Sequence, residues 1–118
     1  MSTEQSQHTM DRYFDLMRRS ADFGECYTPD VTWLVAETGE IVRGADSVRD
    51  HVIALHSTMV DAHTHTYVVG EDHVYLEGDC AADAPAVGPR TRYCIAYDMQ
   101  GAMISAMRCY GLGARSNG

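Results

Sequence analysis

The chain contains no run of eighteen consecutive apolar residues, and its start, Met1 to Gln7, is polar. Neither a membrane-spanning helix nor an export signal is expected, and a cytoplasmic location is. Cations are scarce: Lys plus Arg number 9 against 17 Asp plus Glu, a formal charge of −8 with neutral histidines. A phosphate backbone or an anionic bilayer is gripped by clustered cations, and the densest here are Arg18-Arg19 and Arg90-Thr91-Arg92. Neither nucleic acid nor a membrane is therefore an expected partner. No C-x-x-C pair occurs among Cys26, Cys80, Cys94 and Cys109, which read as small core residues rather than as a disulfide framework. Glycine-rich phosphate loops, flavin signatures and Ser-His-Asp patterns are also missing, so any activity is expected to need no cofactor.

What is present fits one domain over residues 1–118, with a disordered tail from about 112. A chain of this size buries roughly two-thirds of its unfolded surface, enough for a core without staples. Met10, Tyr13, Phe14 and Met17 repeat at helical spacing, predicting a first helix of about a dozen residues capped near Thr9, with Tyr13 at the edge of the stripe. Val31 to Val35 reads as a strand entered from Pro29-Asp30, and Gly44 precedes a second long helix with Val48, Val52, Leu55 and Met59 on its core stripe. His51 and His56 border that stripe. From Asp61 the period changes to two: strands are expected over 63–69, 73–84, 90–97 and 103–110, with a proline-marked loop over 84–89. Helix, strand, helix and four strands joined by turns make an α+β fold with helices on one face of an antiparallel sheet.

The run Tyr27-Thr28-Pro29-Asp30-Val31-Thr32-Trp33, followed by Ile41-Val42-Arg43-Gly44-Ala45-Asp46-Ser47-Val48-Arg49, resembles the SnoaL-like branch of the nuclear transport factor 2-like superfamily. The resemblance implies a cone: a curved antiparallel sheet wrapped around helices, enclosing an apolar pocket, and commonly a homodimer through the outer sheet face. The superfamily includes ketosteroid isomerase, scytalone and bile-acid dehydratases, limonene epoxide hydrolase and polyketide cyclases, beside members without catalysis, so fold alone selects no function. Residue by residue, the isomerases' strand base falls on Val35, their helix phenol on Tyr13 and their buried acid near Tyr93. The dehydratases' Tyr and His fall on Tyr13 and His65, but Arg18 stands where their Asp is expected. The epoxide hydrolases' Asp-Arg-Asp set has candidates in Asp79 or Asp83 and Arg92 or Arg108.

These matches imply His65 as general acid or base, Tyr13 as donor to a developing oxyanion, and Arg108 with Asp79 as electrostatic support. Met17, Trp33, Val35, His51, Met59, His63, Tyr93 and Tyr110 are the expected substrate-contacting residues. Each reading has a plainer rival. Arg108 shares its strand parity with Ile104, Ala106 and Tyr110, which the resemblance points inward, while Met103, Ser105, Met107 and Cys109 form an equally apolar alternative. Glu77, Asp79 and Asp83 lie opposite Val74, Leu76 and Cys80, a pattern that turns acids toward water. His63 and His65 would bind zinc only if His51 or Asp61 converged on them, and no metal is expected. The functional expectation is a cofactor-independent acid–base enzyme for a small hydrophobic cyclic metabolite, of dehydratase, isomerase, cyclase or epoxide hydrolase type. The alternative is a non-catalytic binding or dimerisation domain with the same pocket.

Overall fold

The structure, a computed structural model, describes residues 3–81 and 90–112. Helix α1 (Thr3–Arg18) leads through a short 3-10 turn (Phe23–Cys26) into β1 (Tyr27–Val35). There follow β2 (Glu40–Arg43), α2 (Ala45–His56), β3 (Val60–Val69), β4 (His73–Ala81), β5 (Thr91–Gln100) and β6 (Met103–Tyr110). The strands form one curved sheet in the order β2-β1-β6-β5-β4-β3, and both helices pack on its concave face. Among the described residues, no helix is long and apolar enough to cross a membrane. The expected loop at 84–89, Asp83 and the tail beyond 112 lie outside the described residues.

The α+β architecture is as expected from the sequence, with three differences that have physical causes. The sheet is mixed rather than wholly antiparallel, because β1 and β6 run parallel. No hairpin joins these two strands, so no turn dictates their sense, and side-chain alternation is the same for either sense. Helix α1 begins six residues before Thr9, whose hydroxyl donates to the Ala102 carbonyl at 3.1 Å, while Ser6 donates to the Glu71 carbonyl at 2.7 Å. Polar residues thus occupy the buried side of the first turns by finding partners in two distant hairpin turns. Strand β2, mostly exposed and four residues long, pairs antiparallel with β1 and carries no burial pattern to read.

The core lies between helices and concave face. Met10 and Tyr13 from α1 and Val48 and Val52 from α2 meet Val31 and Trp33 of β1, Met107 of β6, Tyr97 of β5 and Val74 of β4, all at most 3% exposed. Register shifts occur in β1, β3 and β6, and two of them bear on the candidate site by setting which face nearby residues take. One falls between Thr64 and Thr66 in β3, and the other opposes Asp98-Met99 to Ala106 and Ile104, leaving Ser105 as the extra residue. Through the second bulge, Ile104 and Met107 are both fully buried although they lie three apart in a strand.

Gly78 of β4 is fixed by close approach rather than by backbone angle. A Cβ there would lie 2.4 Å from the His63 carbonyl oxygen and 3.0 Å from the Tyr93 hydroxyl oxygen. The Gly78→Ala variant is expected to lose about 1–3 kcal/mol of stability through this overpacking. Urea unfolding checks it, and an unchanged midpoint would show that β3 yields freely.

Candidate functional site

Where the rings of α1 and the sheet cannot interdigitate fully, a hollow of about 130 Å³ remains. Its walls are aromatic and aliphatic, with Met17, Trp33, Met59, Tyr93 and Tyr97 among them, and its polar edge is supplied by Tyr13, Thr64 and His56. Four of the residues expected from sequence to contact substrate, Met17, Trp33, Met59 and Tyr93, do line it, as does Tyr13. The other four stand elsewhere. Val35 packs against the core without reaching the hollow, His51 rests its ring against Trp33 at 5.5 Å, and His63 and Tyr110 are exposed.

Tyr13 is buried, and its hydroxyl shares a 2.7 Å hydrogen bond with that of Tyr27. Two phenols have two protons and this bond uses one. When Tyr27 donates, the Tyr13 proton is left with the weak acceptor Met107 Sδ at 3.9 Å. Burial, then the neighbouring phenols, pushes the Tyr13 and Tyr97 pKa values well above the ordinary value, so both stay neutral donors at physiological pH. Burial also raises Tyr93.

His65 does not enter the hollow, which corrects its expected role there. It is an exposed residue, and its Nε2 lies 2.7 Å from Asp79 Oδ2 on the side of the sheet away from the helices. Thr64 lines the hollow instead, and the bulge after it leaves His65 as the extra residue of β3, so the family match does not fix its direction. Asp79 does not meet Arg108 either. It accepts from Arg90 Nε at 2.8 Å, and Arg90 reaches on to Asp61 at 3.2 Å, whose other oxygen is 3.0 Å from His63. This is an Asp-Arg-Asp arrangement, but built with Arg90 rather than Arg92 or Arg108, and none of its members lines the hollow. Arg108 faces outward as well and is bound through both nitrogens to Asp98, at 2.6 and 3.1 Å. Its expected inward direction, and that of Tyr110, fail because Met107 and Cys109 take the concave face. Among the described residues, no three His, Cys, Asp or Glu side chains converge on a possible metal position.

The imidazole that does border the hollow is His56, in the last turn of α2. It stands four residues after the buried Val52, a helical spacing that places it beside the core stripe and could have singled it out. The residue keeps an exposed surface, yet burial of its ring lowers its pKa below the ordinary 6.5. At neutral pH it is therefore an uncharged base. The site can accept a proton at His56, donate hydrogen bonds from Tyr13, and enclose an apolar group between them.

The outer cluster yields its own test. Hydrogen bonds from His65 and then Arg90 hold the Asp79 pKa below its ordinary 3.8. A depressed carboxylate stabilises the fold above its unfolded pKa and loses that contribution as pH falls through the folded value. The Asp79→Asn variant is expected to melt below the wild type at pH 7, with the gap closing on acidification beneath 3.8. A gap independent of pH would assign the loss to packing rather than to charge.

Known proteins resemble this chain in fold more than in sequence. Among curated proteins, none matches it. A steroid delta-isomerase from Pseudomonas aeruginosa superposes with a TM-score of 0.81 at 14% identity, over 96% of this chain and 87% of that one. A de novo designed protein with a curved β-sheet gives 0.76 at 14%, over 99% and 98%. An NTF2-like protein of unknown function from Mesorhizobium loti gives 0.76 at 16%, over 92% of each chain. An isomerase, a design and a protein without known function share the architecture, so the likeness carries the fold alone. The SnoaL-like domain model matches residues 10–107, most of the length, and the chain belongs to the SnoaL-like domain family.

Proposed function

We propose that this protein is a cofactor-independent acid–base enzyme acting on a small hydrophobic cyclic molecule, with His56 as the base and Tyr13 as the hydrogen-bond donor. The observation that carries the reading is that a neutral imidazole and a neutral phenol border one apolar hollow. A hollow near 130 Å³ suits a single six-membered ring, since an engineered cavity of about 150 Å³ admits benzene. A ring carbonyl directed at Tyr13 would present the adjacent C–H to a base, and the phenol would stabilise the enolate oxygen as charge develops. That the P. aeruginosa fold neighbour is a steroid delta-isomerase agrees with proton transfer of this type. Dehydration and epoxide opening are less supported, because the carboxylates Asp61, Asp79 and Asp98 are committed to ion pairs elsewhere.

A second reading, ligand binding without turnover, is favoured by the hollow's lack of a lining carboxylate and by the mutual satisfaction of Tyr13 and Tyr27. Deuterium exchange at the α-carbons of cyclohexanone, followed by NMR in heavy water, separates the two. Exchange accelerated by the protein and lowered about 10²–10⁴-fold in His56→Gln supports the enzyme. The rate should rise as His56 loses its proton and be half-maximal below pH 6.5, since burial lowers that pKa. Saturable binding with no exchange would establish the non-catalytic reading.

The functional unit proposed is a homodimer through the outer sheet face. Ile41, Leu34, Arg108, Ala96, Tyr75 and Val68 pair in register across all six strands and so share that face. Four of the five large exposed apolar residues among the described residues, Ile41, Val68, Tyr75 and Tyr110, belong to it, and the Arg108 charge at its centre is neutralised by Asp98. Sedimentation equilibrium should give a dimer at micromolar concentration and a monomer for Tyr75→Glu. A monomeric wild type would remove this part of the proposal.

A further inference from the structure

A second apolar concavity adjoins the hollow. It measures about 270 Å³ and is lined by Met17, Ser20, Ala21, Phe23, Ile53 and His56. Met17 and His56 line both spaces, so hollow and groove adjoin at a residue with a flexible thioether and one with an imidazole. Ile53 is the single large apolar residue exposed away from the outer sheet face among the described residues, at 52%, and it forms the far wall of this groove. The left-handed turn at Ser20, with φ of 55°, ends α1 and swings the chain so that Ala21 and Phe23 close the near side.

Resting on the hollow being the binding site, we propose that the groove is a second subsite of it, and that the ligand is a two-part molecule. A ring-sized head carrying one oxygen occupies the hollow, and an unbranched aliphatic tail passes between Met17 and His56 to lie along Ile53. Three features of the structure support this occupant. The hollow alone falls below the roughly 300–1,000 Å³ that buries a whole drug-sized ligand, and hollow and groove together reach that range. The groove is continuous with the hollow through shared side chains, and no charged residue lines it. Its lining is mostly aliphatic and aromatic, with the Ser20 hydroxyl and His56 as polar exceptions, which suits a tail without polar substituents.

The probe is a homologous series of 4-alkylphenols from methyl to octyl. Binding is read by the fluorescence of Trp33, the one tryptophan of the chain and a wall of the hollow. Affinity is expected to rise about three- to fourfold per methylene over the first several carbons, the burial value of a CH₂ group, and then to level once the groove is filled. Ile53→Asp, at an exposed helix position, should flatten the dependence on chain length while leaving 4-methylphenol affinity unchanged. Ala21→Phe should do the same by occupying the groove, which keeps the test independent of one variant's folding. If 4-methylphenol binds but longer members gain nothing, or both variants retain the full chain-length gain, the second subsite is overturned and the hollow stands. If no member of the series perturbs Trp33, the binding reading of the hollow falls, and this inference with it.

Discussion

The concave half of the molecule depends on the packing of one ring. Tyr13 lies with its centroid 5.5 Å from Phe14, 5.6 Å from both Phe23 and Tyr27, and 6.2 Å from Tyr97, so α1, the 3-10 turn, β1 and β5 are held through a single buried aromatic cluster. The amino-terminal half of α1 is also tied to the sheet by Ser6 and Thr9, which donate to carbonyls in the β3–β4 and β5–β6 turns. The carboxy-terminal half is tied to β1 by the hydrogen bond between Tyr13 and Tyr27 and is otherwise positioned by side-chain volume. The helix end near Met17 therefore stands off from β5 by the thickness of the rings beneath it, and the hollow is the space that results. Its existence and the anchoring of the helix have one cause.

The same physics decides what could be read from the sequence. The α2 stripe was legible because burial there follows the helical period, and Met17 and Trp33 were legible from the apolar stripe of α1 and the alternation of β1. The directions of His65 and Arg108 were not. Both lie beside a bulge, at Thr64–Thr66 and at Ser105, and one extra residue exchanges the two faces of a strand. In β6 both parities are apolar, so hydrophobicity could not choose. The choice is made by Asp98, which holds the Arg108 guanidinium on the outer surface. The spacing of His56 from Val52 places it beside the α2 stripe, whereas the family resemblance points to a histidine on a strand.

The outer surface repeats one device twice. Asp79 holds Arg90 and His65, and Asp98 holds Arg108 and His73, each carboxylate joining an arginine and an imidazole across strands. These pairs are partly exposed, where ion pairs add little stability each, yet they satisfy cations on a face that also carries apolar residues. They remove charge from the outer sheet surface without removing polarity, which is compatible with covering that face by another protein surface. The hollow itself carries no formal charge from the described residues: none of those that border it is Asp, Glu, Lys or Arg. An apolar molecule entering it strips no ion of water, so hydrophobic burial is not offset by the desolvation of a charge.

That neutrality limits the chemistry in a definite direction. A histidine whose pKa is lowered by burial is a weaker base than one in water, so the protons within its reach are those already activated, such as those beside a carbonyl. The phenol pair compensates from the other side. In the function proposed, Tyr13 is kept protonated by burial, and its hydrogen bond to a substrate oxygen would strengthen as that oxygen gains charge. Base and donor are thus matched: a weak base is sufficient only where the enolate is stabilised, and a neutral donor is useful only where negative charge appears on oxygen. Reactions that build positive charge on carbon, or that need a carboxylate nucleophile, find neither partner in this hollow.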